Sequence, residues 1–479
     1  VLEEHEFLGI RSSDLNRLRF SPWMERPDKL VALHTASFRD KKDFNTHRLL
    51  RAIDLNTLLS KLPTAEQGDP GDLWLTPNEL TNTFKGFDWL LNNSEKLLKQ
   101  CKIHFDFSKQ TPNNQRSYTG NSGLDNRLLR KLAYNGLSYR YKRPGARVLK
   151  RIEKELQIIH EKCFVSYFLI NWKILKYARA KGYFYVGRGS GANSIIAYLL
   201  RITDVDPIEL DLYFERFINL YRTNPPDFDI DFSWKDRDDV TQFIFRRFPH
   251  TALLTVYNTF KHRAAVRELG KVFGLPKSEI DLLSSGNIQP GQVDGLSRLV
   301  VTYSKRIQGF PNYLGIHAGG ILISERPIHY YTATFLPPKG FPTTQFDMVV
   351  AEDIGLYKFD ILSQRGLGKI KDTLQVIAYN HPKLHPIDIP DIKRFKKDEK
   401  IKSLLRNAKA IGCFYVESPA MRMLLRKLQV DDYLGLVAAS SVIRPGVSQS
   451  GMMREYILRY RFPERRKDAH PILLDIMPE

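Results

Sequence analysis

The stretch "NPPDFDIDFSW", from Asn224 to Trp234, decides the fold around it because three aspartates recur at every second position. Asp227, Asp229 and Asp231 alternate there with two phenylalanines and an isoleucine. A period of two is typical of a β-strand, whose successive side chains point to opposite faces of a sheet. The sequence therefore predicts a strand with carboxylates on one face and apolar core side chains on the other.

The carboxylates on this face need a compensating charge. Asp227 and Asp229 would lie about 7 Å apart, and at an effective dielectric of 20 they would repel by about 2 kcal/mol. Mg²⁺ prefers carboxylate oxygens together with substrate phosphates, so a magnesium site is the natural compensation. An EF-hand is excluded, because its sixth position would be Phe232 and its twelfth Asp238. A solvated acidic face above a core remains the alternative.

The bulk composition favours an anionic partner. The chain has 479 residues, with 73 Lys+Arg against 53 Asp+Glu and a net charge of +20. Such a balance favours a phosphate backbone as partner, although a merely basic protein is the alternative. The three cysteines are far apart, which excludes a disulfide framework and fits a cytoplasmic location. No apolar run approaches the roughly 18 residues of a membrane span, so no membrane partner is expected.

A glycine loop precedes the aspartates in the stretch "VGRGSGANS", from Val186 to Ser194. It follows an aromatic-rich strand and opens an apolar helix, so its glycines and the helix N-terminus could receive a phosphate. It matches neither a Walker loop nor a dinucleotide fingerprint, and a plain tight turn is the alternative. Arg216 and Arg222 follow it and could pair with the carboxylates or hold phosphates.

A third polar stretch, "IGLYKFDILSQRG", places Lys358 and Asp360 on one face of another predicted strand. Asp360 is 131 residues beyond Asp229, so only the fold can bring the two together. A salt bridge between Lys358 and another acid is the alternative. A glycine loop, an Asp-x-Asp strand and a later Asp strand together indicate a nucleotidyl-transfer site with two metal ions.

The combined motifs carry a family resemblance. "VGRGSGANSIIAYLLRITDVDPIELDLYFERFIN" with "PPDFDIDF" resembles the palm of the C-family bacterial replicative DNA polymerases, the DNA polymerase III alpha subunits. The blocks "GIHAGGILIS", "LYKFDIL" and "RPGVSQSGM" follow in that family's order. The resemblance implies a multidomain α+β chain, with a polymerase-beta-like nucleotidyltransferase palm of mixed sheet and helices. It also implies a DNA-directed DNA polymerase that transfers deoxynucleotides from dNTP to a primer 3′-hydroxyl with two Mg²⁺ ions.

The same resemblance implies a domain order. The expected segments are 1–105 as the C-terminal part of a PHP domain, 106–258 as the first palm segment, 259–312 as a helical thumb insertion, 313–368 as the second palm segment and 369–479 as the beginning of helical fingers.

Site residues carried over from the family fall into three groups. Asp227, Asp229 and Asp360 are implied as the catalytic and metal-binding carboxylates, whereas Asp231 is not expected to be a required ligand. His317 lies in a family block near the site and could equally be structural. The implied nucleotide-binding residues are Arg188, Gly189, Ser190, Arg216, Lys358 and, from the fingers, Arg444. The implied DNA-binding residues are Arg263, Arg267 and Lys271, whose spacing of four could also mark a solvated helix face.

Primer–template DNA and dNTP are the partners that the resemblance implies. A sliding clamp and other replicase subunits are also expected, although their docking regions fall mostly outside this chain. Because the opening PHP metal motifs and the later family domains are absent, we expect the middle of a larger polymerase that is poorly active or inactive alone. The alternatives are a template-independent nucleotidyltransferase and a catalytically dead DNA-binding fragment.

Overall fold

The computed structural model describes residues 2–102, 104, 112–216, 224–286, 294–389, 391–468 and 470–472. The predicted α+β class is confirmed, since the chain forms both strands and helices. The strands are β1 Leu8–Ile10, β2 Leu30–Ala32, β3 Tyr185–Arg188, β4 Asp229–Ser233, β5 Thr251–Thr259, β6 Pro311–Ile323, β7 Thr334–Phe335, β8 Thr343–Thr344 and β9 Phe359–Gln364.

The α-helices account for more of the chain than the strands do. They are α1 Leu15–Leu18, α2 Lys41–Asp54, α3 Pro77–Thr83, α4 Asp88–Gln100, α5 Ser122–Arg140, α6 Ala146–Glu161, α7 Val165–Ala180, α8 Ile195–Leu199, α9 Arg237–Arg247, α10 His262–Phe273, α11 Lys277–Ser285, α12 Gly295–Ile307, α13 Met348–Asp353, α14 Arg365–Asn380, α15 Ile392–Lys397, α16 Glu399–Arg406, α17 Pro419–Leu428, α18 Tyr433–Val442, α19 Pro445–Gln449 and α20 Met452–Arg461. Within the described ranges, no helix combines the length and the hydropathy that a membrane crossing requires.

The chain forms two compact units. Unit 1 takes residues 1–111, 255–316 and 344–354, and unit 2 takes residues 112–254, 317–343 and 355–479.

Unit 1 is mainly helical, with the short parallel pair of β1 and β2 beside it. Helix α10 lies in a core that α2, α11 and α12 also supply, and its buried residues recur three and four apart. Full burial of a Val, Leu or Phe side chain contributes about 1.5–3 kcal/mol, so this stripe fixes the helix. Gly274 caps α10 in the left-handed region at φ 76°, a conformation that glycine adopts readily. The buried residues of α10 are Ala265, Val266, Leu269, Gly270 and Val272.

The predicted aspartate strand belongs to a mixed sheet of seven strands, of which β3, β4 and β9 lie in unit 2. The strand order is β3-β4-β9-β6-β5-β8-β7. Strand β4 pairs antiparallel with β3 and parallel with β9, and β9 pairs antiparallel with β6. The aspartate strand is therefore internal to the sheet, second from its edge, and its neighbours are the strand before the glycine loop and the strand of Asp360.

The apolar face of the aspartate strand packs on α7 in unit 2. The ring of Tyr167 stacks on Phe228 with centroids 5.7 Å apart and contacts Phe359 at 4.7 Å. Phe168 meets Phe228 edge-on at 5.1 Å. These aromatic residues alternate with the polar ones, so burying them fixes which face of β4 and β9 the carboxylates occupy.

The C-terminal part of unit 2 is helical, as the sequence predicts for residues 369 onward. Helices α17, α18 and α20 pack together around a small apolar core. The buried members of that core are Ala408, Ala410, Met421, Leu424, Leu425, Leu428, Val430 and Ala439.

Candidate active site

The two distant carboxylates meet in the sheet of unit 2. Asp229 is the register partner of Asp360 across the parallel pair of β4 and β9, and of Arg188 across the antiparallel pair of β3 and β4. Side chains at paired positions of neighbouring strands stand on the same face. Arg188, Asp229 and Asp360 thus form one charged row, which we name the carboxylate row.

Asp227 lies just before the strand instead of within it. Strand β4 begins at Asp229, whereas the sequence pattern predicts a strand from Asp227 onward. The difference follows from β3, which ends at Arg188, because Gly189 turns the chain away at φ 96° and ψ −174°. Asp227 is exposed there, and its backbone amide donates to the Ser190 hydroxyl at 2.9 Å.

Two cations bind the carboxylates of this face. The Arg188 Nη1 lies 2.5 Å from the Asp229 Oδ2, and the Arg188 Nε lies 2.8 Å from the Asp231 Oδ2. Lys358 donates to the Asp360 Oδ2, so among the described residues its salt bridge is with Asp360 itself and not with another acid, as the alternative expected. Like charges on neighbouring strands are destabilising, and these cations offset that repulsion.

One carboxylate oxygen of the row has no partner among the described residues. The Asp360 side chain is 7% exposed, and its buried Oδ1 makes no hydrogen bond. Buried polar atoms in folded proteins are nearly always bonded, so an unpartnered carboxylate oxygen indicates a site for a cation. His317 Nδ1 lies 3.9 Å away but accepts from the backbone amides of Gly319 and Gly320, at 3.2 and 2.7 Å. Its lone pair is therefore used, and it does not neutralise Asp360.

The charges of the cluster shift the pKa of Asp229 and that of Lys358. Burial raises the pKa of Asp229, and the charges of Asp360 and Asp227 add to that rise while Arg188 opposes it. Burial works to lower the pKa of Lys358, but the hydrogen bond and charge of Asp360, with Asp227 and Asp229 adding, raise it overall. The three carboxylates therefore act on one another electrostatically, and a shared cation would relieve all of them at once.

His317 is neutral in this setting. Burial lowers its pKa, and Lys358 lowers it further against the opposing charge of Asp360. Its Nδ1 accepts the backbone amide of Gly320, and the ring lies close to that glycine's Cα, where a Cβ would meet Nδ1 at 2.9 Å. His317 thus makes a structural contact within β6, the strand that pairs with the strand of Asp360.

Three further hydrogen bonds connect the segments that lead into the strands of the row. The Asn114 side chain accepts from the Tyr357 amide at 2.7 Å and donates to the Tyr357 carbonyl at 2.7 Å. The Tyr357 hydroxyl in turn donates to Asn224 at 2.9 Å. Tyr357 precedes β9 and Asn224 precedes β4. These contacts therefore join the segments that lead into the two carboxylate strands.

The glycines of the loop make room for protein atoms. A Cβ on Gly187 would lie 1.9 Å from the Ile202 carbonyl oxygen, and one on Gly189 would lie 2.6 Å from that of Asp227. A Cβ on Gly191 would lie 2.2 Å from the Phe228 ring. The glycines therefore permit the close approach of Ile202 and of the segment that leads into β4.

The prediction that the helix after the loop offers free amides to a phosphate is wrong. Helix α8 has only five residues, and its first turn is bonded to Glu155 of α6 and to Ser194. Glu155 is fully buried; it accepts from the Ser194 hydroxyl at 2.7 Å and from Arg151 at 2.6 Å. This internal carboxylate already occupies the positive end of the helix.

Glu155 is the residue that sequence reasoning missed. It lies three residues after Ile152 and four before Ile159, which are both buried. The sequence did offer a signal, since Glu155 occupies a position of α6 that the helical period assigns to the buried apolar face. An acid is buried there only when it has bonding partners.

The remaining predicted nucleotide-binding residues are distributed as follows. Arg216 ends a short 3₁₀-helix, Phe214–Arg216, and its side chain lies outside the described residues, as does the whole of Arg222. Arg444 is exposed at the start of α19, and no hydrogen bond or ion pair joins it to Asp229 or Asp360. The structure therefore brings Arg188 and Lys358 to the carboxylates but not Arg444.

The predicted basic stripe forms one exposed face of α10 in unit 1. Arg263, Arg267 and Lys271 are all exposed. Arg267 lies 3.8 Å from Asp281, and Lys271 lies 2.8 Å from Glu268. Arg263 has no ion pair among the described residues, so it is the stripe's most available cation.

The residues of the row fit a magnesium site, although none is preformed. Among the described side chains, no group of three or more His, Cys, Asp or Glu is already arranged as a metal site. Asp229 and Asp360 instead hold Arg188 and Lys358. Adjacent carboxylates and the unpartnered Asp360 Oδ1 supply the oxygen donors that Mg²⁺ prefers.

Comparison with known proteins places the site in a family. The model of the "Bacterial DNA polymerase III alpha NTPase domain" matches residues 127–363, and that of the "Bacterial DNA polymerase III alpha subunit finger domain" matches residues 366–479. Together the two matches take in most of the chain.

Curated relatives agree with these matches. An error-prone DNA polymerase of Symbiobacterium thermophilum is 32% identical over 94% of this chain and 42% of the relative. The DNA polymerase III subunit alpha of Bacillus subtilis is 33% identical over 85% of this chain and 38% of the relative. That of Buchnera aphidicola is 31% identical over 90% and 40%. The chain spans about two fifths of the length of these relatives, and it belongs to the bacterial DNA polymerase III alpha family.

Proposed function

We propose that this chain carries the catalytic centre of a template-directed DNA polymerase, which transfers deoxynucleotides from dNTP to a primer 3′-hydroxyl. Family membership and the carboxylate row support this proposal. The polymerase-beta-like palm would comprise residues 106–258 and 313–368. The other proposed parts are a PHP portion at 1–105, a thumb at 259–312 and fingers at 369–479.

The observation that carries the proposal is the pairing of Asp229 with Asp360. These residues are 131 positions apart in sequence, yet they are register partners on neighbouring parallel strands. One oxygen of Asp360 is buried and has no hydrogen-bond partner in the part of the chain that the structure describes. Arg188 and Lys358 offset the repulsion between these carboxylates, but they leave this Asp360 oxygen without a donor, which supports a functional cation site.

Asp227, Asp229 and Asp360 would hold two Mg²⁺ ions. When bound, these ions would stabilise the charge of the triphosphate and favour ionisation of the primer hydroxyl. Asp229 and Asp360 would first exchange Arg188 and Lys358 for the metal. The two released cations would then face the triphosphate, where charge-assisted hydrogen bonds to phosphate oxygens are strong. The loop residues Gly189 and Ser190, together with Arg216 and Arg444, complete the proposed nucleotide site.

Primer–template DNA would lie along basic surfaces of the chain. The exposed stripe Arg263, Arg267 and Lys271 on α10 is the proposed contact with the phosphate backbone. A sliding clamp and other replicase subunits are proposed partners of the whole protein, in line with the name "subunit alpha" of two relatives.

Binding of dATP in the presence and absence of Mg²⁺ tests the site. We expect Asp229→Asn to weaken Mg²⁺-dependent dATP binding by about 100-fold or more. The metal would lose a ligand, and the triphosphate would then lose the metal that holds it. Asp211→Asn is the matched control, since Asp211 is an exposed carboxylate paired with Arg147 in the same unit. Equal dATP affinity for Asp229→Asn and the unsubstituted chain contradicts the proposal.

Primer extension separates the proposed activity from its alternatives. A template-directed polymerase adds only the nucleotide complementary to the template, whereas a template-independent nucleotidyltransferase adds nucleotides without regard to it. Metal and dATP binding without any extension, under conditions that include primer–template DNA, favours a DNA-binding chain without catalysis.

A further inference from the structure

The third aspartate of the triplet, Asp231, has a different environment from the other two. Its side chain is 9% exposed, and both of its oxygens are bonded within the protein. Oδ2 accepts from the Arg188 Nε at 2.8 Å, and Oδ1 accepts from the Gln364 side chain at 3.3 Å. Asp360, by contrast, keeps one oxygen that no described residue bonds.

Arg188 bonds two carboxylates through two different nitrogens. Nε is used by Asp231, and Nη1 lies 2.5 Å from Asp229. Among the described residues Nη2 makes no hydrogen bond, and the side chain is half exposed. The planar guanidinium can therefore lose its contact with Asp229 and still be held in place by Asp231.

We propose that Asp231 is a positioning residue for Arg188 and not a metal ligand. This inference rests on the proposed function. When a metal takes the oxygens of Asp229, the bond from Asp231 to Nε keeps the guanidinium beside the row. Nη1 and Nη2 then face the triphosphate of the incoming nucleotide.

Gln364 supports this role because it orients the carboxylate of Asp231. Gln364 ends β9, four residues after Asp360, and its amide occupies the Asp231 oxygen that Arg188 leaves unused. An amide donor adds no charge, so Asp231 keeps its full charge for the guanidinium. The third acid of the triplet thus serves the nucleotide through an arginine, which explains why it is buried and fully bonded.

Two binding measurements on the full chain test the assignment. Mn²⁺ serves as the metal probe, and dATP in the presence of Mg²⁺ serves as the nucleotide probe. We expect Asp231→Asn to bind Mn²⁺ within about threefold of the unsubstituted chain, whereas its affinity for dATP falls about tenfold, which corresponds to about 1.4 kcal/mol. Asp229→Asn should weaken both.

A double-mutant cycle shows whether Asp231 acts through Arg188. Arg188→Ala should weaken dATP binding at least as much as Asp231→Asn, and the double variant should be no weaker than Arg188→Ala alone. Fully additive losses overturn the proposal, as does loss of Mn²⁺ affinity in Asp231→Asn equal to that in Asp229→Asn. Unchanged dATP affinity in Asp231→Asn also overturns it.

A second variant keeps the test decisive if Asp231→Asn does not fold. Arg188→Lys retains the charge but cannot bond Asp231 and a phosphate through separate nitrogens of one plane. It should lose about as much dATP affinity as Arg188→Ala, and full retention overturns the proposal. If Asp229→Asn binds both probes like the unsubstituted chain, the proposed function itself fails. That outcome differs from a failure at Asp231 alone.

Discussion

The glycine loop of unit 2 and helix α10 of unit 1 both have sequences that suggest contact with phosphate, yet their polar groups differ in the structure. Around the loop, Glu155 bonds the first turn of α8, and the Ser190 hydroxyl accepts from the Asp227 amide. On α10, Arg263 is exposed without an ion pair among the described residues. Around the loop these polar groups are bonded to protein partners, whereas on α10 Arg263 remains available to solvent or a ligand, although Arg267 and Lys271 have acidic neighbours.

This difference separates two kinds of residue that look alike in a sequence. A buried polar group must have a fixed partner, so its removal costs stability. An exposed charge interacts weakly with its neighbours, so its removal costs little stability but can weaken the binding of a polyanion. Substitutions in the two regions should therefore change different measurable quantities.

The largest expected effect on stability is at Glu155. Glu155→Ala leaves Arg151, Ser194 and the first turn of α8 without their buried partner, so the free energy of unfolding should fall by about 3 kcal/mol or more. Chemical denaturation followed by circular dichroism measures it. Glu153→Ala on the same helix is the control, because Glu153 is half exposed and its pair with Arg130 should contribute under about 1 kcal/mol. Equal losses for both variants would remove the contrast between the regions.

A smaller loss is expected at Gly189. Gly189→Ala forces a side chain into backbone at φ 96° and places its Cβ 2.6 Å from the Asp227 carbonyl oxygen. We expect a cost of about 2 kcal/mol, together with weaker dATP binding because Asp227 must shift. Gly446→Ala is the control, since a Cβ there meets nothing within 4 Å and alanine favours a helix. A Gly189→Ala chain as stable as the unsubstituted one contradicts the strain argument.

The smallest expected effect is at Arg263. Arg263→Ala should leave the free energy of unfolding within about 0.5 kcal/mol, because the side chain is exposed and without an ion pair among the described residues. Affinity for duplex DNA should fall about two- to threefold. The slope of log affinity against log salt concentration should become shallower by about one, since about one fewer counterion is released. Lys271→Ala should change DNA affinity less, since Lys271 is held by Glu268 at 2.8 Å. DNA affinity measured at several salt concentrations decides this, and no change for Arg263→Ala would argue against a DNA contact at α10.

Local patterns predicted much of this fold. The alternation around Asp229 gave the strand and its two faces, and Phe228 and Phe359 are buried on the opposite side as expected. The end of α10 at Gly274 is likewise a local feature, because glycine adopts the left-handed region readily. These features depend on a few neighbouring residues, which a sequence displays directly.

Partners from elsewhere in the chain could not be predicted in this way. The sequence suggested that α8 offers its amides to a phosphate, but Glu155 of α6 occupies them. The length of β4 also depended on a partner, because β3 ends at Arg188 and leaves Asp227 outside the strand.

The sequence by itself determined that acidic and apolar side chains alternate in two stretches, because strand periodicity is a property of consecutive residues. The tertiary structure alone decided that Asp229 is paired with Asp360, that Arg188 bridges Asp229 and Asp231, and which oxygen stays unpartnered. Register between distant strands is set by the packing of whole faces, and that packing has no local signature in the chain.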